Sequence, residues 1–151
     1  MVLFLMKMET ALAKKTGDIF TKAKRSFVMS RIRSRGNKNT EVALAKLFRR
    51  NKIIGWRRNH KILGKPDFVF RQVRLALFVD GCFWHGCPKH GTQPAGNRTF
   101  WKNKFARNKA RDVLVTRTLR SQGWRVLRIW EHELARKNEA RLLRRLQRLI
   151  H

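Results

Sequence analysis

Residues 78–90 read Phe78-Val79-Asp80-Gly81-Cys82-Phe83-Trp84-His85-Gly86-Cys87-Pro88-Lys89-His90, which gathers an acid, two cysteines, two histidines and an adjacent aromatic pair into thirteen residues. Such a stretch is built for chemistry. The run leading into it, Leu75-Ala76-Leu77-Phe78-Val79, is apolar without a break and is expected to be a buried strand, with Asp80-Gly81 marking the turn that ends it. Upstream, Gly64-Lys65-Pro66-Asp67 opens a second apolar run, so two aspartates stand at opposite ends of two short strands. Pairing those strands would bring Asp67 and Asp80 together.

The rest of the chain supplies a frame for that stretch. With 151 residues, 42% of them hydrophobic, it suits one domain with one core and no need of disulfide staples. Residues 1–20 are read as an N-terminal extension and 21–151 as the domain. The chain has 37 Lys and Arg against 9 Asp and Glu, a net charge of +28. Self-repulsion on that scale opposes compaction unless a polyanion neutralises it, and nucleic acid is the leading partner. An anionic membrane competes, but it would call for a basic amphipathic helix with a bulky apolar face or a spanning stretch, and no apolar run approaches the ~20 residues needed to span. Val2-Leu3-Phe4-Leu5-Met6 lacks a basic lead-in and is shorter than the apolar core of a signal peptide, about 7 to 15 residues, so the expected location is the cytoplasm.

Periodicity sets the element order. Asn39-Thr40 starts a helix with Val42, Leu44, Ala45, Leu47 and Phe48 on its apolar face, running to Asn51. Glu41 lies in its first turn, where the helix dipole alone favours an acid. Residues 53–60, around Trp56, read as a strand. Arg98 to Ser121 is helical, with Trp101, Phe105, Ala110, Val113, Leu114 and Leu119 as its apolar positions, and Gly123 ends it. Trp124 to Trp130 alternates as a half-buried strand, and Glu131 to Leu149 reads as a basic helix. Asp18 to Arg35, basic with Phe27 and Met29 interspersed, reads either as a short helix with an arm along a phosphate backbone or as a disordered basic tail. Helix, three strands, helix, strand, helix is an α/β sheet flanked by helices.

The two cysteines, five positions apart, would gain little from closing so small a loop as a disulfide. Metal ligation is the better use. Zinc takes four soft or borderline ligands around a tetrahedron, and Cys82, Cys87 and His90 supply three within nine residues. Two ordinary buried thiols would leave the Cys-x-x-His spacing unexplained.

Five stretches together, MSRIRSRGNKNTE (29–41), LGKPDFVF (63–70), FVDGCFWHGCPKH (78–90), RTFWKNKFARNKARD (98–112) and GWRVLRIWEHEL (123–134), resemble the very short patch repair (Vsr) endonucleases, which nick DNA beside T:G mismatches. The resemblance covers roughly residues 21–134 and implies the restriction-endonuclease-like fold, a central mixed sheet flanked by helices. It also implies Mg²⁺ as catalytic cofactor, a hard cation that neutralises phosphate oxygens and activates water, with carboxylates as its preferred ligands. Asp67 would be its main ligand, assisted by the Val79 backbone carbonyl. The competing role for Asp67 is a turn aspartate after proline. Asp80 departs from the family, whose best-known members carry histidine there; an aspartate adds a metal ligand instead. His85 matches a histidine taken to transfer protons near the scissile phosphate, with zinc ligation as its alternative. Glu41 and Asp112 fall in matching blocks and would support catalysis.

The resemblance further implies that His132 completes a structural zinc site with Cys82, Cys87 and His90, although the family often has cysteine at that position. Phe83, Trp84, Trp101 and Met29 would be wedges inserted between base steps; an alternative for Trp84 and Trp101 is packing over the zinc cluster. Two large adjacent apolar side chains such as Phe83 and Trp84 are not expected both to point into a core, so at least one should be exposed. The implied partners are duplex DNA with a T:G mismatch, mismatch-repair proteins and a cytosine methyltransferase system, with the enzyme acting as a monomer. Two rivals stand beside this reading: a general nicking nuclease of the same fold, and a non-catalytic basic zinc-containing nucleic-acid-binding protein. The second leaves the acids near the Cys/His cluster idle.

Overall fold

The computed structural model describes Thr21, Ala23, Lys24, residues 40–92, Pro94 and residues 96–151. The expected extension, residue Met29 and nearly all of the expected arm therefore lie outside the described residues.

The first described helix, α1 (Glu41–Arg50), starts where the sequence places it. Four strands follow in the order β1 (Trp56–Arg57), β2 (Phe68–Phe70), β3 (Leu75–Asp80) and, after the long helix α2 (Arg98–Ser121), β4 (Arg125–Trp130). They form one sheet in sequence order. β1–β2 and β2–β3 are antiparallel, while β3 and β4 run parallel with Phe78 beside Arg128 and Asp80 beside Trp130. A parallel pair needs a long crossover, and α2 supplies it. The sheet is mixed and helix-flanked, as the sequence predicts.

Two expected elements are shorter in the structure. The strand over 53–60 narrows to Trp56–Arg57, because Gly55 and Asn59 take left-handed backbone conformations at φ +85 and 57 and break the ladder on either side. The single helix over 131–149 is instead two 3₁₀ turns, Glu131–Leu134 and Arg136–Asn138, followed by α3 (Glu139–Ile150). Ala135 between the turns is extended at ψ 141. The buried Glu133 carboxylate causes the interruption by turning back to accept the Trp130 N–H and the Arg145 guanidinium.

Side-chain alternation along the strands divides the core into two layers. Below the sheet, α1 and α3 bury Leu44, Leu47, Phe48, Leu142 and Leu146 against Phe68, Phe70, Leu75, Leu77 and Ile129. The Phe48 ring meets Phe68 and Phe70 edge-on, and its truncation to alanine would cost about 3–5 kcal/mol. Above the sheet, α2 contributes only Val115 and Leu119, packed on Ala76 and Phe78. Val113 and Leu114, expected on the apolar face of this helix, are 64% and 62% exposed. The inward stripe is instead Trp101, Phe105, Asn108, Asp112, Val115 and Leu119, at spacings of three and four. Two of its members are polar because half of α2 covers a polar cleft and not a core.

Candidate active site

Asp67, Asp80, His85 and Asp112 line one cleft of ≈ 220 Å³ at the upper edge of the sheet. The antiparallel register places the start of β2 beside the end of β3: the Asp67 N–H donates to the Leu77 carbonyl at 2.9 Å, and Asp67 Oδ2 accepts the Val79 N–H at 2.7 Å. The chain reaches this point through two successive left-handed residues, Gly64 at φ +75 and Lys65 at φ 51. A Cβ at Gly64 would run into Val115, so only glycine lets the strand entry pass under α2. Lys65 also lines the cleft and is exposed at its rim.

Among the described residues, no lysine or arginine pairs with Asp67. Burial pushes its carboxyl up to about 6, helped by the negative Glu41 and Asp80, while the Val79 N–H and the more distant Arg128 pull the other way. The other acids each have a cation. Glu41 is buried at the start of α1 and bound by Arg58. Asp80 is held through both oxygens by Arg128, Nε to Oδ2 and Nη2 to Oδ1, each at 2.6 Å. The same Nη2 lies 2.9 Å from Asp112 Oδ1, and Asp112 Oδ2 is 2.6 Å from His85 Nδ1. Burial works against the Asp112 charge, but the His85 hydrogen bond and Arg128 outweigh it and hold the carboxyl below its usual range. With Nδ1 engaged, His85 keeps Nε2 for any proton it handles.

The structure thus brings together Asp67, Val79, Asp80, His85 and Asp112, with Glu41 just behind Asp67. The expectation that Asp80 ligates a metal beside Asp67 meets a competitor, since each of its oxygens already accepts a hydrogen bond from Arg128, although the donor atoms of Asp80, His85 and Asp112 all lie within 4.8 Å of one another. As a hard-cation site the remainder fits: a desolvated carboxylate with no ion-pair partner among the described residues, opening on a cleft with room for an ion and its waters.

The second cluster lies behind the loop 81–91, a succession of tight turns including Cys87 N–H to Cys82 O at 2.9 Å and Gly91 N–H to Cys87 O at 2.7 Å. It gathers Cys82, Cys87, His90 and His132, whose donor atoms all lie within 4.8 Å of one another. His132 Nδ1 is 3.3 Å from Cys82 Sγ and 3.6 Å from Cys87 Sγ, and His90 Nδ1 is 4.0 Å from Cys87 Sγ. Metal–sulfur and metal–nitrogen bonds of about 2.3 and 2.0 Å in a tetrahedron put such donors roughly 3.5 Å apart, so the four residues fit one four-coordinate ion. His85 lies in the acidic cluster and not in this one. Burial, chiefly, raises the Cys82 thiol and lowers His132.

Phe83, Trp84, Trp101 and Phe105 form an aromatic group between the loop and α2. Phe83 sits edge-on to the other three at 5.0, 5.3 and 5.6 Å between centroids. Phe83 and Trp84 are both half-buried, so the expectation of one exposed ring gives way to two partly covered ones. Phe100, resting on Trp101, is the exposed member at 47%. Asn108 Nδ2 donates to the Trp84 carbonyl at 2.8 Å and ties the loop to the helix.

Arg128, Arg58 and Asn108 carry no expected role in the sequence reading. Arg128 had a signal: it shares the upper face of β4 with Val126 and Trp130, and a charge on a half-buried alternating strand needs an acid opposite.

A mixed sheet with helices on both sides and acids gathered at one strand end is an arrangement suited to a nuclease, and the comparisons with known proteins agree with it. The family model described as DNA mismatch endonuclease Vsr matches residues 17–90. Type II nicking enzyme V.NmeAIP of Neisseria meningitidis is 40% identical over 136 residues, covering 88% of this chain and 94% of that relative. DNA mismatch endonuclease Vsr of Escherichia coli is 35% identical over 115 residues, 76% of this chain and 73% of the relative. Type II nicking enzyme V.NaeI of Lentzea aerocolonigenes is 48% identical over 87 residues, which are 58% of this chain and 52% of that relative's length. The chain belongs to the Vsr family of DNA endonucleases and has the family's α/β restriction-endonuclease-like fold.

Proposed function

We propose that this chain is a Mg²⁺-dependent endonuclease that nicks one strand of duplex DNA at a T:G mismatch, through residues 21–151 acting as a single nuclease domain and as a monomer on DNA in the cytoplasm. The observation that carries the reading is Asp67, a desolvated carboxylate that no described lysine or arginine pairs with, at the mouth of the acidic cleft. Asp67 would hold the ion, with the Val79 carbonyl beside it. Bound there, Mg²⁺ would supply charge neutralisation at the scissile phosphate and a lowered pKa for water. His85, oriented by Asp112, would hand a proton on from Nε2. Zinc is the structural ion we assign to Cys82, Cys87, His90 and His132, a Cys₂His₂ set.

Mismatch preference is argued from the aromatic group beside the cleft. Opening a base step for a wedge costs a few kcal/mol, less where the step is already mismatched. The names of the relatives support both a mismatch enzyme and a broader nicking enzyme. Any companion mismatch-repair protein or methyltransferase rests on the family alone.

The test is single-strand scission of oligonucleotide duplexes carrying each mismatch or none, with Mg²⁺ present or withheld, by wild type and Asp67→Asn. Mg²⁺-dependent nicking of T:G duplex, reduced by several orders of magnitude in the variant while DNA binding persists, is expected. Nicking of all duplexes alike would favour the general nicking nuclease, and binding without scission would overturn the enzyme reading.

A further inference from the structure

Arg111 and Arg128 both line the acidic cleft, but Arg111 is exposed, and among the described residues Arg128 is the guanidinium fastened to the cleft's carboxylates. Two charge-assisted hydrogen bonds join it to Asp80 Oδ1 and Oδ2, each at 2.6 Å, and an ion-pair contact of 2.9 Å joins it to Asp112 Oδ1. Its guanidinium lies 4.8 Å from the Phe78 ring centroid, so an aromatic face closes the side without acids. The parallel register sets Arg128 beside Phe78, and the side chain reaches two residues along β3 to Asp80. A planar fork can grip two carboxylates at once in this way; a lysine ammonium is a point charge. Burial disfavours the Arg128 charge, but Asp80 and Asp112 outweigh it and raise its pKa.

Charge counting gives this grip a meaning. Asp67, Asp80 and Asp112 bring three negative charges to the cleft, and Arg128 cancels one. Glu41 is already cancelled by Arg58, and Lys65 and Arg111 sit exposed at the rim. Water screens those two exposed cations, so the partly buried groups keep two negative charges, which a single divalent cation matches. We propose that Arg128 is a built-in cation of this centre: it occupies the two inner carboxylates permanently, limits the cleft to one divalent ion at Asp67, and positions His85 through Asp112.

Asp80 on this account anchors Arg128 and is not a metal ligand. The chain of contacts from Arg128 through Asp112 Oδ1 and Oδ2 to His85 Nδ1 orients the imidazole. The inference rests on the reading of Asp67 as the metal ligand, and the experiment separates the two.

Mn²⁺ binding is measured by electron paramagnetic resonance on the zinc-loaded protein for wild type, Arg128→Met, Arg128→Lys and Asp67→Asn, with circular dichroism confirming that each is folded. Wild type should bind one Mn²⁺ per chain. Arg128→Met, which keeps the stem and removes the charge, should bind a second ion and hold the first at least tenfold more tightly. Arg128→Lys should return to one ion, which a merely structural arginine would not predict. Two ions in wild type, or an unchanged isotherm in Arg128→Met, would overturn the role of Arg128. Undiminished binding in Asp67→Asn would overturn the metal ligand itself.

Discussion

Replacing Asp67 by asparagine should make the protein more stable when no divalent cation is present. The carboxyl is raised from 3.8 to about 6, first by burial and then by the neighbouring acids. An acid raised in the folded state contributes stability that is fully present below its unfolded pKa, near 4, and is lost as the pH climbs through about 6. Near neutral pH the ionised side chain therefore costs about 3 kcal/mol, at about 1.36 kcal/mol for each tenfold change in its ionisation equilibrium. That is an upper figure, since the variant's amide oxygen still accepts the Val79 N–H while the desolvated charge is gone. For a chain of this size each kcal/mol moves the melting temperature by about 3 °C, so the variant should melt up to about 10 °C above wild type. The assay is thermal unfolding by circular dichroism across pH, without added Mg²⁺ and without chelator, which would remove the zinc proposed for the Cys/His cluster. The gap should close as the pH falls toward about 4. Adding Mg²⁺ should raise the wild-type transition and leave the variant unmoved. A variant that melts at or below wild type near neutrality, or a gap indifferent to acid, would refute the reasoning.

Two further outcomes follow from the other clusters. Cys87→Ala should lose about one bound zinc per chain by metal analysis and lower the melting temperature by on the order of 10 °C or more, because the proposed ion would join the loop 81–91 to His132 across the fold; full zinc content with normal melting would remove the site. Phe83→Ala should weaken binding to T:G duplex about tenfold more than to matched duplex, with zinc content kept, since an inserted ring is favoured where a base step opens cheaply; equal weakening on both duplexes would assign the ring to packing alone.

Much of this is legible in the sequence. The strand run 75–79, the helix 98–121 and the half-buried strand that ends at Trp130 announce themselves by composition and period, and the PD unit and the Cys-x-x-His cluster by spacing. Partnership is not legible. Asp80 reads as a free acid until the parallel register of β3 and β4 sets Arg128 across from it, and register between strands nearly fifty residues apart has no local signature. The inward face of α2 escapes the sequence for a related reason: hydrophobic periodicity finds the side of a helix that meets a core, and Asn108 and Asp112 point inward to a polar cleft. The break at Ala135 depends on Glu133 reaching Arg145, another tertiary contact that no propensity encodes.

The two halves of α2 rest on different foundations. From Val115 onward the helix is fastened to the sheet, whereas from Arg98 to Arg111 it leans on aromatic rings and on one short loop. Amide hydrogens in the first half should therefore exchange through small local openings and those in the second only with the whole molecule. The leaning half carries Lys102, Lys104, Arg107, Lys109 and Arg111, so the segment that a polyanion would grip is also the one that yields most cheaply. Gripping it would stiffen the helix against the loop that holds His85, and duplex engagement would then register at that imidazole as a loss of motion.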